Sequence, residues 1–224
     1  MDESDRAPGH ATGLETLLTH HGRAPEKQVG FVNTPIYRGS TVVFPTVAQL
    51  DDHSVRYRYG RQGTPLTDGL EAIITQLEGA AGTVLAPSGL AAISLALVSC
   101  LSSGDEVLIS DSAYEPTRRL ANTLLARLGI TTRYYDPRVG SGITDLISDR
   151  TRVVFLESPG SLTFEVQDIP AICRALRNTD IVTVADNTWA TPLFFRPMEL
   201  GVDMVVHAAT KMFCGHSDVL MGTV

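Results

Sequence analysis

The chain has 224 residues, of which 43% are hydrophobic and 19% are charged, a balance ordinary for a globular protein with a sizeable core. Its formal net charge of -7 disfavours nucleic acid and anionic membranes as partners, because both require a basic surface. No apolar run reaches the length of a membrane span, and the acidic N-terminus lacks the apolar core of a signal peptide, so we expect a cytoplasmic protein.

The cysteines and histidines argue against a disulfide-stabilised protein and against a metalloprotein. Cys100, Cys173 and Cys214 are few and widely separated, which indicates reduced thiols rather than a disulfide framework. The six histidines show neither an HExxH motif nor a spacing that pairs them with cysteines. The sequence therefore predicts no metal site.

Residues 1–62 are predicted to form an N-terminal arm and a loop region that contacts another subunit. Residues 1–13 are polar and are expected to be a mobile arm, and residues 14–20 form a short amphipathic turn. Residues 22–64 are rich in Gly, Pro, Arg and Tyr and show little periodicity. A loop-like stretch of this length is usually functional or contacts a partner.

Residues 63–224 alternate between helical and strand patterns and are predicted to form one large domain. Helices are expected at 70–77, 89–101, 118–128 and 169–177. Strands are expected at 83–86, 106–109, 131–135, 152–156, 181–185 and 204–207. Short apolar strands separated by helices favour an α/β fold, in which a mostly parallel sheet carries helices on both faces.

Polar residues follow these strands at their carboxyl ends, where open α/β sheets bind ligands. They are Ser88, Tyr114, Glu157, Asp186 and Lys211. The last two suit pyridoxal 5'-phosphate (PLP), which needs a lysine amine for a Schiff base and a carboxylate to keep its ring nitrogen protonated. Simpler interpretations stay open, with Asp186 as a helix N-cap and Lys211 as an exposed lysine. Tyr114 suits ring stacking or proton transfer, although an unmatched surface tyrosine is the commoner case.

Two further motifs are candidates for phosphate binding. Ser88-Gly89-Leu90 follows a strand and opens a helix, so its backbone N–H groups and the helix dipole can hold an anion. The alternative is an ordinary turn in which Ser88 caps the helix. Arg61 can bind phosphate with two parallel hydrogen bonds and Tyr59 can donate another, unless both lie in a solvated loop.

Taken together, these motifs resemble those of one known family. The segments that carry the resemblance are Tyr59–Arg61, Ser88–Leu90, Ala113–Pro116, Phe155–Gly160, Asp186–Trp189 and Ala209–Asp218. In this order they resemble the Cys/Met-metabolism family of PLP enzymes, from about Leu17 to the last residue. The resemblance implies fold type I, with an aspartate-aminotransferase-like large domain.

The resemblance also implies roles around the cofactor. Lys211 would bind PLP covalently and move the substrate Cα proton, Asp186 would pair with the ring nitrogen, and Tyr114 would stack on the ring. The phosphate would lie against residues of its own subunit, namely Ser88, Gly89, Leu90 and Thr210. Tyr59 and Arg61 would reach the phosphate of a neighbouring subunit, which implies a dimer within a homotetramer.

The implied reaction is a carbon–sulfur lyase reaction, the β-elimination of L-cystathionine to homocysteine, pyruvate and ammonia. A γ-lyase or γ-synthase of sulfur amino acids and a catalytically incomplete PLP-binding fragment are the alternatives. The chain departs from many family members at Ala208, where they carry serine, and at Met212, where they carry tyrosine. Family members continue well beyond this length, so we expect part of the large domain and a C-terminal domain to be missing.

Overall fold

The computed structural model describes residues 13–224, so the arm predicted at residues 1–13 lies outside the described residues except for its last one. The contacts divide the described residues into two compact units, which meet in sequence between residues 74 and 75. The domain boundary predicted between residues 62 and 63 stays a prediction.

The N-terminal unit contains little regular structure in its described part. Helix α1 spans Leu14–His20 and α2 spans Val47–Asp51, where Thr46 caps α2 by accepting the backbone N–H of Gln49. Single 3-10 turns occur at Pro25–Lys27 and Gly60–Gln62. This scarcity of regular elements agrees with the high content of Gly and Pro between them.

The second unit is built on a parallel sheet. The strands found in residues 13–224 are β1 (Leu85–Ala86), β2 (Glu106–Ser110), β3 (Thr131–Tyr135), β4 (Thr151–Glu157), β5 (Val182–Asp186), β6 (Met204–Val206) and β7 (Gly222–Thr223). Five of them form the sheet in the order β3-β2-β4-β5-β6, and every neighbouring pair is parallel. The other two, β1 and β7, pair antiparallel with each other.

Helices precede the strands or connect them. They are α3 (Pro65–Glu78), α4 (Gly89–Cys100), α5 (Glu115–Leu120), α6 (Ile169–Leu176) and α7 (Thr191–Phe194). The first four correspond to predicted helices, although α5 begins at residue 115 instead of 118, and α7 was not predicted. A π-turn at Ala121–Leu125 continues α5, and 3-10 turns occur at Gly140–Leu146 and Pro197–Leu200. Among residues 13–224, no helix is both long and apolar enough to cross a membrane.

The sheet has a hydrophobic core on each face, because successive strand residues point in opposite directions. In β4, Val153 and Phe155 pack with residues of α4 and α5, and Val154 and Leu156 pack with residues of α6. All four side chains are fully buried. The predicted α/β fold, with a parallel sheet covered by helices on both faces, is therefore confirmed.

One strand differs from the prediction in its placement. The segment expected as a strand at 83–86 forms only the short β1, and β1 lies outside the parallel sheet. Its neighbour is β7, reached through backbone hydrogen bonds between Val84 and Val224. The apolar segment that contains β7 thus forms, together with β1, a second and smaller sheet next to the start of α4.

Candidate active site

A cavity of about 580 Å³ lies at the carboxyl ends of the parallel strands. Ligand pockets in proteins commonly have volumes of this order. The cavity brings together most of the site residues predicted from the sequence: Ser88, Gly89, Leu90, Tyr114, Asp186, Thr210 and Lys211. It lies wholly within the second unit.

The turn before α4 forms one wall of the cavity. Ser88 has extended backbone angles, and its Oγ accepts the backbone N–H of Ala91 at 3.1 Å, so it caps the helix. The N–H groups of Gly89 and Leu90 belong to the first helical turn, where no intrahelical acceptor exists, and they are available to an anion. The interpretation of Ser88 as a helix cap is therefore confirmed, and it leaves these N–H groups free for an anion, so phosphate binding stays a prediction.

Gly89 is required by a close approach of two backbone segments. A β-carbon at this position would lie 2.6 Å from the Cβ of Ala208 and 2.8 Å from its Cα. Real Cβ atoms do not approach other atoms this closely, so the segment after β6 can pass the start of α4 only at a glycine.

Asp186 ends β5 and is held in place by Thr188. The Thr188 backbone N–H and side-chain hydroxyl donate to the same carboxylate oxygen, Oδ1, at 3.0 Å and 2.6 Å. Burial raises the pKa of Asp186, and the two bonds from Thr188 and the nearby His207 oppose that rise. The alternative of a helix N-cap is wrong, because the next helix, α7, begins at Thr191 and follows Ala190.

Glu157 ends β4 beside Asp186; the sequence placed it at a strand end but did not assign it a role at the cofactor. Its Oε2 accepts the backbone N–H of Tyr114 at 2.8 Å. Burial raises the pKa of Glu157 to about 8, and the neighbouring Asp186 carboxylate contributes to the rise. The available signal was its position, since Glu157 and Asp186 both end apolar strands.

Lys211 lies in a tight turn that follows β6. Its backbone N–H donates to Ala208 O at 2.9 Å, and its own carbonyl accepts the N–H of Gly215 at 2.8 Å. The side chain is exposed, as the simpler interpretation had it, but it also lines the cavity. An exposed amine at the mouth of a cavity is accessible to a carbonyl compound inside it.

Thr210 also lines the cavity, but its hydroxyl is engaged by the backbone of Met221. Its Oγ1 donates to Met221 O at 3.1 Å and accepts the Met221 N–H at 3.0 Å. A phosphate contact of the kind predicted would require the hydroxyl proton to turn away from Met221 O, or the phosphate to offer a proton.

An apolar rim, which was not predicted from the sequence, completes the cavity. Phe164 and Trp189 contact each other with ring centroids 5.2 Å apart and planes tilted by 53°. Leu162, Met212 and Leu220 add exposed apolar surface around the same opening. Trp189 and Met212 were noted in the sequence for other reasons, but no local pattern shows that these residues share an apolar surface, because they lie on loops that only the fold brings together.

The sheet beside the cavity contains a buried polar contact. His207 Nε2 and Glu78 Oε1 are 2.6 Å apart, and both side chains are almost completely buried. Asn187 Nδ2 donates to the same Glu78 oxygen at 3.1 Å. His207 directly follows β6 and Asn187 directly follows β5. The contact therefore joins the carboxyl end of β5, which Asp186 ends, to that of β6, which precedes Lys211.

Tyr59 and Arg61 belong to the N-terminal unit and not to the residues that line the cavity. Both side chains are exposed, and the Arg61 guanidinium carbon lies 6.0 Å from the centroid of the Tyr59 ring. Their predicted action across a subunit interface stays a prediction.

The residues of the cavity fit PLP. Residues 13–224 contain no donor bonded to Asp186 Oδ2, so this oxygen is available to a protonated ring nitrogen. The N-terminus of α4 suits the phosphate and Lys211 the aldehyde. By contrast, no group of three His, Cys, Asp or Glu residues between positions 13 and 224 is arranged to hold a metal ion.

The chain is similar in sequence to known proteins over nearly its whole length. The sequence profile of a family described as Cys/Met metabolism PLP-dependent enzymes matches residues 15–224. A protein of Rhizobium johnstonii, provisionally named cystathionine beta-lyase, is 48% identical over 212 residues, which are 95% of this chain and 54% of that protein. The cystathionine beta-lyase MetC of Escherichia coli is 40% identical over 218 residues, 94% of this chain and 55% of the relative.

Solved structures agree with these relatives in fold. The crystal structure of metB from Corynebacterium glutamicum matches with a TM-score of 0.89 at 32% identity, over 95% of this chain and 55% of that one. A cystathionine gamma-lyase of Lactobacillus plantarum, complexed with L-serine, matches with a TM-score of 0.87 at 32% identity, over 94% of this chain and 54% of that one. The chain spans about half the length of the curated relatives it matches.

Proposed function

We propose that the protein is a carbon–sulfur lyase, starting from the fact that the chain belongs to the Cys/Met metabolism family of PLP-dependent enzymes. The reaction we propose is the β-elimination of L-cystathionine to homocysteine, pyruvate and ammonia. One observation carries the proposal: the Lys211 amine, the Asp186 carboxylate and the N-terminus of α4 line a single cavity. Relatives named cystathionine beta-lyase support the choice of substrate.

The chemistry divides between the cofactor and the chain. When bound, PLP supplies an electron sink for the negative charge that develops at the substrate Cα. Asp186, fixed by Thr188, would hold the ring nitrogen of the cofactor through its negative charge and so favour the protonated ring. Lys211 Nζ would bind the aldehyde of the cofactor and would serve as the base for the substrate Cα proton. In our proposal the backbone N–H groups of Gly89 and Leu90 bind the phosphate.

Tyr114 and the N-terminal unit have supporting roles in this proposal. Tyr114 lines the cavity and would stack its ring on the ring of the cofactor. Tyr59 and Arg61 bind the phosphate of a neighbouring subunit, so that the protein acts as a homo-oligomer, a dimer of dimers. The three free cysteines, Cys100, Cys173 and Cys214, agree with a reducing compartment, and we place the protein in the cytoplasm.

Product analysis tests the proposed reaction directly. The chain is incubated with PLP and L-cystathionine, and the oxoacid and the thiol that it releases are identified. Pyruvate together with homocysteine supports β-elimination. The similarity to a cystathionine gamma-lyase favours γ-chemistry as the second candidate, for which 2-oxobutyrate and cysteine are expected. PLP binding without release of any thiol would instead support a binding role without turnover.

A further inference from the structure

We propose that Glu157 is a positioning residue of the PLP site. Its neutral carboxyl lies beside the Asp186 carboxylate and binds the backbone N–H of Tyr114. This inference rests on the proposed function, because both neighbours are assigned there to the ring of PLP. Glu157 itself is assigned no contact with the substrate or the cofactor.

Strand register places the two carboxyl groups side by side. Glu157 and Asp186 are paired residues on the adjacent parallel strands β4 and β5. Neighbouring strands are separated by about 4.8 Å, and paired residues direct their side chains to the same face of the sheet. Both side chains line the cavity. Two carboxylates this close in a partly buried site disfavour double ionisation, so that one of them keeps a proton.

The hydrogen bonds decide which carboxyl keeps the proton. Asp186 accepts two bonds from Thr188, one of them from a backbone N–H, and both favour its ionised form. Glu157 accepts one bond, from the Tyr114 N–H. The protonated ring nitrogen assigned to Asp186 would favour the anion there still further. The proton therefore belongs to Glu157, and the raised pKa of about 8 for this group agrees with that assignment.

The bond to Tyr114 explains why a glutamate stands in this position. Tyr114 precedes α5, and its backbone N–H would otherwise face the end of the sheet without an acceptor. By accepting that N–H at 2.8 Å, Glu157 ties the start of α5 to the end of β4. The backbone that carries the Tyr114 ring, which lines the cavity, is thereby fixed to the end of β4.

Two variants test whether Glu157 acts as a neutral hydrogen-bond acceptor or as a negative charge. Glu157→Gln keeps the shape, the acceptor for Tyr114 and a neutral group beside Asp186. Glu157→Ala loses the acceptor and leaves the backbone N–H unpaired. We expect Glu157→Gln to keep the dissociation constant of PLP within about threefold of the parent value at pH 7, and Glu157→Ala to raise it at least about tenfold.

Trp189 supplies the readout, which does not depend on activity. It is the single tryptophan of the chain and lines the same cavity, so quenching of its fluorescence reports bound PLP. The titration is repeated from pH 6.5 to pH 9. Asp186 and Tyr114 interact directly with Glu157, His207 acts on Asp186, and Lys211 lines the same cavity; all four are the same in parent and variant.

The pH comparison isolates Glu157 from those other groups. Because bound cofactor excludes water from the carboxyl and so disfavours its ionisation, affinity of the parent should fall more steeply above pH 8 than affinity of Glu157→Gln. Parallel pH curves for parent and Glu157→Gln, or a loss in Glu157→Gln as large as in Glu157→Ala, would overturn the proposal. If the parent chain itself does not quench with PLP, the proposed function fails instead, independently of Glu157.

Discussion

The first turn of α4 touches the segment after β6 so closely that Gly89 and Ala208 leave no room for a β-carbon between them. The distance from that β-carbon to the Cβ of Ala208 would be 2.6 Å. This contact brings the proposed phosphate site at the start of α4 next to the turn that carries Lys211.

A methyl group at Gly89 should therefore damage both the fold and the cofactor site. We expect Gly89→Ala to lower the free energy of unfolding by about 2 kcal/mol through overpacking, and to weaken PLP binding at least about tenfold. Gly82→Ala is the matched control, since a β-carbon there meets nothing within 4 Å. Urea unfolding and the fluorescence titration measure the two effects, and equal behaviour of both variants would contradict the close contact.

Covalent attachment of PLP should occur at one of only two lysines. The chain contains Lys27 and Lys211, so borohydride reduction followed by peptide mapping identifies the modified residue without ambiguity. We expect the label on Lys211, its loss in Lys211→Ala and its retention in Lys27→Ala. A label that persists in Lys211→Ala would remove the basis of the proposed chemistry.

Replacement of Asp186 should affect the reaction more than cofactor binding. Asp186→Asn keeps the shape but removes the negative charge that holds a proton on the ring nitrogen. We expect pyruvate formation from L-cystathionine to fall by about 100-fold or more, an effect typical of lost electrostatic stabilisation, while PLP still attaches to Lys211. Turnover at the parent rate would show that Asp186 has another role.

The raised pKa of Glu157 should make the unfolding free energy of the cofactor-free chain depend on pH. In the folded chain its pKa is raised from 4.5 to about 8, so the fold binds this proton more tightly than the unfolded chain does. Folding is therefore penalised as pH rises from about 4.5 towards 8, and the penalty is complete above that range. Glu157→Gln removes it, and we expect a gain in unfolding free energy on the order of 2 kcal/mol at pH 8.5 that vanishes below pH 4.5.

The control for that measurement is Glu115→Gln. Glu115 is exposed in the first turn of α5, so its replacement removes one negative charge close to Tyr114 without changing a buried group. Unfolding by urea at several pH values compares the two variants. A gain in Glu157→Gln that is the same at pH 4.5 and pH 8.5 would mean that titration of Glu157 is not its cause.

Element order and type could be predicted because they depend on local patterns. The buried run Val153–Leu156 and the apolar face of α6 follow from side-chain spacing alone. The start of α5 was misplaced by three residues, since Pro116 was not recognised as part of the first turn, where a missing N–H costs nothing. The pairing of β1 with β7 could not be predicted, because it joins segments far apart in the chain.

Sequence alone determined the chemistry that the chain offers: a lysine and an aspartate after apolar strands, a serine-glycine turn before a helix, and an α/β order of elements. These features depend on residue type and on spacing within a few residues. Only the tertiary structure decided which of them meet. The parallel register of β4 and β5 places Glu157 beside Asp186, and the contact of Gly89 with Ala208 brings Lys211 to the same cavity. Such pairings depend on how strands and helices that are far apart in the chain pack together, and the spacing of residues within a few positions does not determine this packing.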